Sequence, residues 1–257
     1  MNQEEKRLYL IRYLLNEQPK YRSVEIPADE SAQKQLLRSL FNIRIPASIS
    51  EEFVQIQDEY LQEEIRRKGI TVITDLKPVR TGVYLWKGDI TTLACDAIVN
   101  AANSGMTGCY QPCHNCIDNC IHTYAGIQLR NACAEIMERQ GYLEPTGQAK
   151  ITPAYNLPSK FVIHTVGPIV QGPLTEQNED QLSSCYRSCL KLAEDGGCKN
   201  IAFCCISTGV FGFPQDRAAE IAVQTVSEYM KKTANHLNVI FNVFKEADYE
   251  IYQKLLR

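Results

Sequence analysis

The chain has no run of apolar residues approaching the roughly 20 that cross a bilayer, and its first residues, MNQEEKR, lack the apolar core of a secretory signal. It also lacks charge of one sign. A formal net charge of -3 gives no general reason to expect nucleic acid or an anionic membrane as partner. Lys20, Arg22, Lys34, Arg38, Arg66, Arg67 and Lys68 are scattered among acidic residues, without the aromatic and basic interleaving of a nucleic-acid surface. Internal repeats and low-complexity tracts are absent. These absences point to a cytoplasmic globular protein, with no membrane and no nucleic acid among its partners.

What is present is a 257-residue chain of 44% hydrophobic content, enough for one large α/β domain or for a domain with an extension. Eleven cysteines are an odd count and unevenly placed: Cys109, Cys113, Cys116 and Cys120 fall within twelve residues. In a leaderless chain such a cluster reads as metal-binding or redox-active, not as a disulfide framework. Cys95, Cys133, Cys185, Cys189, Cys198, Cys204 and Cys205 lie in apolar patterns and are expected to be small buried hydrophobes.

Residues 1–70 read as helical. Leu8, Ile11, Leu14 and Leu15 recur at helical spacing until Pro19 and Pro27; Asp29 can cap a second helix carrying Leu36, Leu37 and Leu40. Ser48 with Glu51 has capping-box spacing for a third helix, with Phe53, Ile56 and Tyr60 as its stripe and Gly69 as its end. From Ile70 the periodicity changes. Strands are predicted at 71–73, 83–86, 97–100, 149–153, 161–166, 201–206 and 239–244, with a long helix over 117–140 and amphipathic helices over 181–194 and 215–232. Alternating strands and helices argue for a three-layer α/β/α sandwich around a mostly parallel or mixed sheet.

The candidate site is concentrated after the third of these strands. Ala97-Ile98-Val99 runs into Asn100 and Asn103, so two amides stand where a strand ends, the place where open α/β sheets bind ligands. Cys109, His114 and Cys116 form a Cys-x4-His-x-Cys arrangement whose thiolates and imidazole are good zinc ligands; spacing alone leaves open whether Cys113 or Cys120 closes a four-ligand site. Asp118 stands where a helix begins, as a carboxylate for catalysis or as an ordinary first-turn residue. Ser207-Thr208-Gly209-Val210-Phe211-Gly212 follows a buried strand and precedes a helix, a loop whose amides can cradle a pyrophosphate. His122 and His164, inside apolar patterns, read as structural.

Gly88 to Thr91 (GDIT), Asp96 to Asn103 (DAIVNAAN), Ile117 to His122 (IDNCIH), Thr152 to Pro158, Val162 to Pro168 and Ser207 to Gly212 together resemble the macrodomain family, the ADP-ribose-binding α/β modules, over roughly residues 80–257. In place of that family's glycine-rich loop the chain has Gly108-Cys109-Tyr110-Gln111-Pro112-Cys113-His114-Asn115-Cys116, which resembles the zinc-containing subgroup. Residues 1–70, helical by their spacing, read as an extension; the resemblance implies a zinc-containing macrodomain over 71–257 and one Zn2+ on Cys109, His114 and Cys116. It further implies that Asp89 and the Ile90 backbone meet adenine and that Phe244 stacks on it. Asn100 and Asn103 would hold the terminal ribose, residues 207–212 the pyrophosphate, and Asp118 with Asn103 would form the catalytic pair.

The activity so implied is zinc-dependent hydrolysis of mono-ADP-ribose from a modified protein side chain, an ester to Asp or Glu being the expected bond. The alternatives are a reader that binds ADP-ribose without cleaving it and a deacetylase of O-acetyl-ADP-ribose. The subgroup also implies a lipoyl-carrier protein modified by a sirtuin-type transferase as the substrate.

Overall fold

A computed structural model describes residues 1–233 and 237–257. Three helices come first: α1 (Gln3–Glu17), α2 (Glu30–Ile43) and α3 (Glu51–Lys68). Asp29 caps α2 by accepting from the Ala32 amide, as its spacing suggests. At α3 the cap is Ser50, not Ser48, because it is the Ser50 hydroxyl that meets the Phe53 amide; Gly69, at φ 87°, ends the helix. Leu10, Ile11, Leu14, Leu37, Phe41, Phe53 and Leu61 pack into one core, which Ile127 from the second half of the chain joins.

The second half alternates strands and helices: β1 (Thr71–Val72), β2 (Pro78–Arg80), β3 (Val83–Lys87), β4 (Leu93–Ala94), β5 (Ala97–Ala102), α4 (Ile117–Ala125), α5 (Ile127–Gln140), β6 (Ala149–Pro153), β7 (Phe161–Val166), α6 (Glu176–Asp195), β8 (Asn200–Phe203), α7 (Gln215–Lys232), β9 (Asn238–Val243) and α8 (Glu246–Leu255). Seven strands form a mixed sheet in the order β2-β3-β9-β8-β5-β7-β6. The five central strands are parallel and the two edges antiparallel, while β1 and β4 pair separately. Helices on both faces complete a three-layer α/β/α sandwich, so the central strands are buried on both sides and read as nearly continuous apolar runs.

Two expectations from the pattern need correction. The helix foreseen over 117–140 is two helices, broken at Gly126, whose φ of 93° no helical residue adopts. An added Cβ there would lie 2.6 Å from Gln57 Nε2, so the close approach of α3 enforces the break. The strand foreseen over 97–100 runs to Ala102, which puts Asn100 inside the sheet.

Because β3, β5, β7, β8 and β9 are parallel, their C-terminal ends lie along one edge of the sheet. Asp89, Asn103, Gly167, the loop 204–214 and Phe244 all follow those ends.

Candidate functional site

Asn100 sits opposite His164 in the β5–β7 register and is fully buried. Its Nδ2 donates to Asp118 Oδ1 at 2.8 Å and faces His164 Nδ1 at 3.1 Å. A carboxylate demands a donor, so the amide orientation follows from the network. Burial drives the His164 pKa down to about 3, so the ring is neutral, its Nδ1 accepts, and its Nε2 hydrogen faces the Thr152 hydroxyl at 3.0 Å. Both Asn100 donors are thereby committed, and its Oδ1 has no protein partner.

Asp118 lies in the first turn of α4 and is 4% exposed. Its second oxygen accepts from Asn103 Nδ2 at 3.2 Å, and Asn103 also donates to the Gly108 carbonyl at 3.1 Å and accepts from the Gly105 amide at 3.0 Å. Burial pushes the Asp118 carboxyl up to about 6, against the opposing pull of the Asn100 amide, the Arg130 cation and the Asn103 amide. His122, one turn along α4, is fully enclosed and neutral: burial first, then His164 and Arg130, hold its pKa well below the ordinary value. It differs from the expected satisfied core histidine. Neither ring nitrogen has a protein partner, and its Nε2 stands 3.5 Å from Asp118 Oδ1.

The Cys109, His114 and Cys116 donor atoms lie within 4.8 Å of one another on the loop that leads into α4. Cys116 is the N-cap of α4, its sulfur accepting from the Asn119 amide at 3.4 Å. Burial, with Cys109 and Asp118 nearby, pushes its thiol up to about 12, so only a bound cation would release that proton near neutrality. Two soft sulfurs and one imidazole fit zinc. Cys113 and Cys120 do not join them: Cys113 Sγ meets Ser39 Oγ at 3.2 Å and the Gln35 carbonyl at 3.4 Å, and Cys120 Sγ lies 3.6 Å from Arg38.

The loop after β8 carries a strained serine. Ser207 has φ 64° and a buried Oγ without protein partner. The turn's internal bonds use the amides of Gly212 and Phe213; among the described residues those of Gly209, Val210 and Phe211 take no backbone acceptor. Thr208 Oγ1 is tied back to the Cys205 carbonyl, while Val210 is 76% exposed. Loop amides without acceptors beside an unpaired hydroxyl suit an anion.

Along the same edge, Asp89 caps the turn that buries Ile90: its Oδ1 accepts from Thr91, and its Oδ2 pairs with Lys68 of α3 at 3.0 Å. Burial would raise its pKa, but the Thr91 hydroxyl and the Lys68 cation hold it below the usual carboxylate range. Phe244, directly after β9, is 77% exposed and so is not core. Sequence reasoning missed Lys68, Arg38, Asn119 and Arg130 at this site; each is polar on a helix, a pattern that ordinarily marks a solvated face.

A family model described as Macro domain matches residues 99–222. The chain is 60% identical over 261 residues to a protein-ADP-ribose hydrolase of Treponema medium, covering all of both chains. It is 48% identical over 250 residues to a protein-ADP-ribose hydrolase of Staphylococcus aureus, covering 95% of this chain and 94% of the other. The crystal structure of a Trypanosoma brucei macrodomain in complex with ADP-ribose aligns over 86% of this chain and 95% of its own, at 30% identity and TM-score 0.66.

Proposed function

Because the chain belongs to the Macro domain family, we propose that it is a zinc-dependent hydrolase of mono-ADP-ribose on modified protein side chains, with the ester to Asp or Glu as its bond. The observation that carries the reading is one buried carboxylate, Asp118, held between the Asn100 and Asn103 amides two residues after a ligating-type thiol. A reader has no use for that arrangement. The protein-ADP-ribose hydrolases of Treponema medium and Staphylococcus aureus support the activity.

In this reading the pyrophosphate lies on the amides of residues 209–211 and the Ser207 hydroxyl, and adenine lies between Phe244 and the Asp89–Ile90 turn. Asn100 Oδ1, the free acceptor, takes a hydroxyl of the terminal ribose. Asn103 is a positioning residue, since its donors hold Asp118 and the Gly108 carbonyl. Zinc on Cys109, His114 and Cys116 would supply a Lewis acid that polarises an oxygen near the sugar. Asp118 accepts the proton of the attacking water as the water oxygen bonds to the anomeric carbon and the acceptor carboxylate leaves.

The test follows labelled ADP-ribose on an auto-modified transferase, with a lipoyl-carrier protein modified by a sirtuin-type transferase as second substrate. The parent chain should release label. Asp118→Ala should slow release by about 10²–10⁴-fold while still binding ADP-ribose, and Cys109→Ala should abolish metal content. Label retained by the parent chain despite tight ADP-ribose binding would establish a reader instead.

A further inference from the structure

The N-terminal helices meet the loop 108–116 through α2, and Arg38 of that helix reaches both the loop and the first turn of α4. Arg38, on α2, sends its NH2 group to the His114 carbonyl at 2.7 Å and to Asn119 Oδ1 at 2.9 Å. Asn119 is fully buried, and its own amide donors continue to the Gln111 carbonyl at 2.9 Å and the Cys109 carbonyl at 3.5 Å, while its backbone amide faces Cys116 Sγ. The His114 carbonyl is thus held by Arg38 and the Cys109 carbonyl by the Asn119 side-chain amide that Arg38 meets, while the Cys116 sulfur is held by the backbone of α4 itself.

The rest of the loop is fastened to the same helix. The Cys113 amide donates to the buried Asn42 Oδ1 at 2.9 Å, at a position where the backbone has φ 52°. Arg130 on α5 donates to the Asn42 and Arg44 carbonyls at 2.6 Å each, satisfying the open C-terminal end of α2. A nine-residue loop with three ligands and a left-handed cysteine has little reason to hold one shape alone. Part of what imposes the shape comes from outside its own half of the chain, from Arg38 and Asn42 of α2, and part from Asn103, Asn119 and Arg130 within it.

We infer that Arg38 is a positioning residue of the metal loop, and that residues 1–70 serve as the outer brace of the metal site through it. This rests on the reading that Cys109, His114 and Cys116 hold zinc, but the brace itself is a property of the loop with or without the ion. Its chemistry is that of an outer-shell partner: a planar guanidinium reads two acceptors at once and fixes the carbonyl of one ligand relative to the side-chain amide that meets the carbonyl of a second.

The experiment compares the full chain with Arg38→Met, which keeps the aliphatic stem, and with Arg7→Met, which removes the buried Arg7 contacts to Gln33 and Glu30 elsewhere in the extension. Zinc release to a chelator is timed, and amide hydrogen exchange of residues 109–116 is measured on protein stripped of metal. Arg38→Met should release zinc about 10- to 100-fold faster and exchange its stripped loop about tenfold faster, whereas Arg7→Met should leave both rates at the parent value. Arg38→Lys, which keeps the charge without the fork, should raise the same rates by less and guards against a folding defect in Arg38→Met. Equal loop exchange in the stripped parent and Arg38→Met overturns the brace. A parent chain that holds no zinc, together with faster loop exchange in Arg38→Met, removes the metal and leaves the brace standing.

Discussion

Gly108 offers a sharp test of how tightly the Cys/His loop is built against α4. Its φ is +83°, and a Cβ added there would lie 2.7 Å from His122 Cγ, 2.9 Å from Cδ2 and 3.0 Å from Nδ1. The His122 ring is buried, with His164 at 5.9 Å between ring centroids and Asp118 beside it, so it has little room to retreat. Gly108→Ala therefore carries two costs: about 1–2 kcal/mol for the left-handed backbone and about 1–3 kcal/mol for overpacking against the ring. In a chain of this size the sum lowers the melting temperature by about 4–20 °C. The two parts separate in a double-mutant cycle with His122→Ala, which removes the ring and leaves the backbone cost. Urea unfolding followed by near-UV dichroism should show Gly108→Ala costing about 1–3 kcal/mol less in the His122→Ala background. An equal cost in both backgrounds would refute the argument that the ring forces glycine at 108.

Phe244→Ala should weaken ADP-ribose binding by about 5- to 100-fold, the worth of one base stack, with no change in melting temperature because the ring is 77% exposed; unchanged affinity by calorimetry removes the stacking role. Asp96 predicts an acid-side loss of stability. Burial would raise its pKa, but Lys160 and the Lys199 and Asn200 amides outweigh it and leave the carboxyl below its usual range. Its contribution is therefore complete above the unfolded pKa of about 4 and is lost as pH falls through the lower folded value. Unfolding midpoints measured from pH 6 down to pH 3 should fall less steeply in Asp96→Asn, and parallel curves would contradict the assignment.

Strands β5 and β7 and helix α7 were legible in the sequence because their burial follows from local pattern: AIVNAA and FVIHTV are largely apolar on both faces. β2 was not, since its three residues are all exposed at a sheet edge and carry no periodicity. The break at Gly126 was hidden because Ile121, Ala125 and Leu129 keep a helical spacing across it, and the cause lies in Gln57, about seventy positions earlier. The loop cysteines announced a site by their density, and geometry then separated Cys109 and Cys116, together with His114, from Cys113 and Cys120, which have partners on α2. Those partners, Ser39 and Arg38, had no signal of their own. No helix among the described residues is long and apolar enough to cross a membrane, in keeping with the absence of long apolar runs.

The polar atoms that remain unpaired separate substrate contacts from scaffolding. At the C-terminal edge of the sheet Asn103 and His164 are satisfied by the protein, while Asn100 Oδ1 and Ser207 Oγ are buried without a protein partner. An unmet buried polar atom costs about 1–3 kcal/mol, and Ser207 adds a left-handed backbone at φ 64°. A fold retains such a residue where a ligand supplies the missing bond. Ser207→Ala should therefore raise the stability of the ligand-free protein by about 1 kcal/mol and weaken its response to ADP-ribose. For the parent chain, ligand at a hundred times its dissociation constant adds about 2.7 kcal/mol, a rise of about 5–10 °C. In Ser207→Ala the same ligand concentration should give a visibly smaller rise from a higher starting point. Opposite movement of the two quantities is what a functional cost requires. A variant whose ligand-free stability and ligand-induced rise both match the parent would show that the Ser207 hydroxyl meets water, not phosphate.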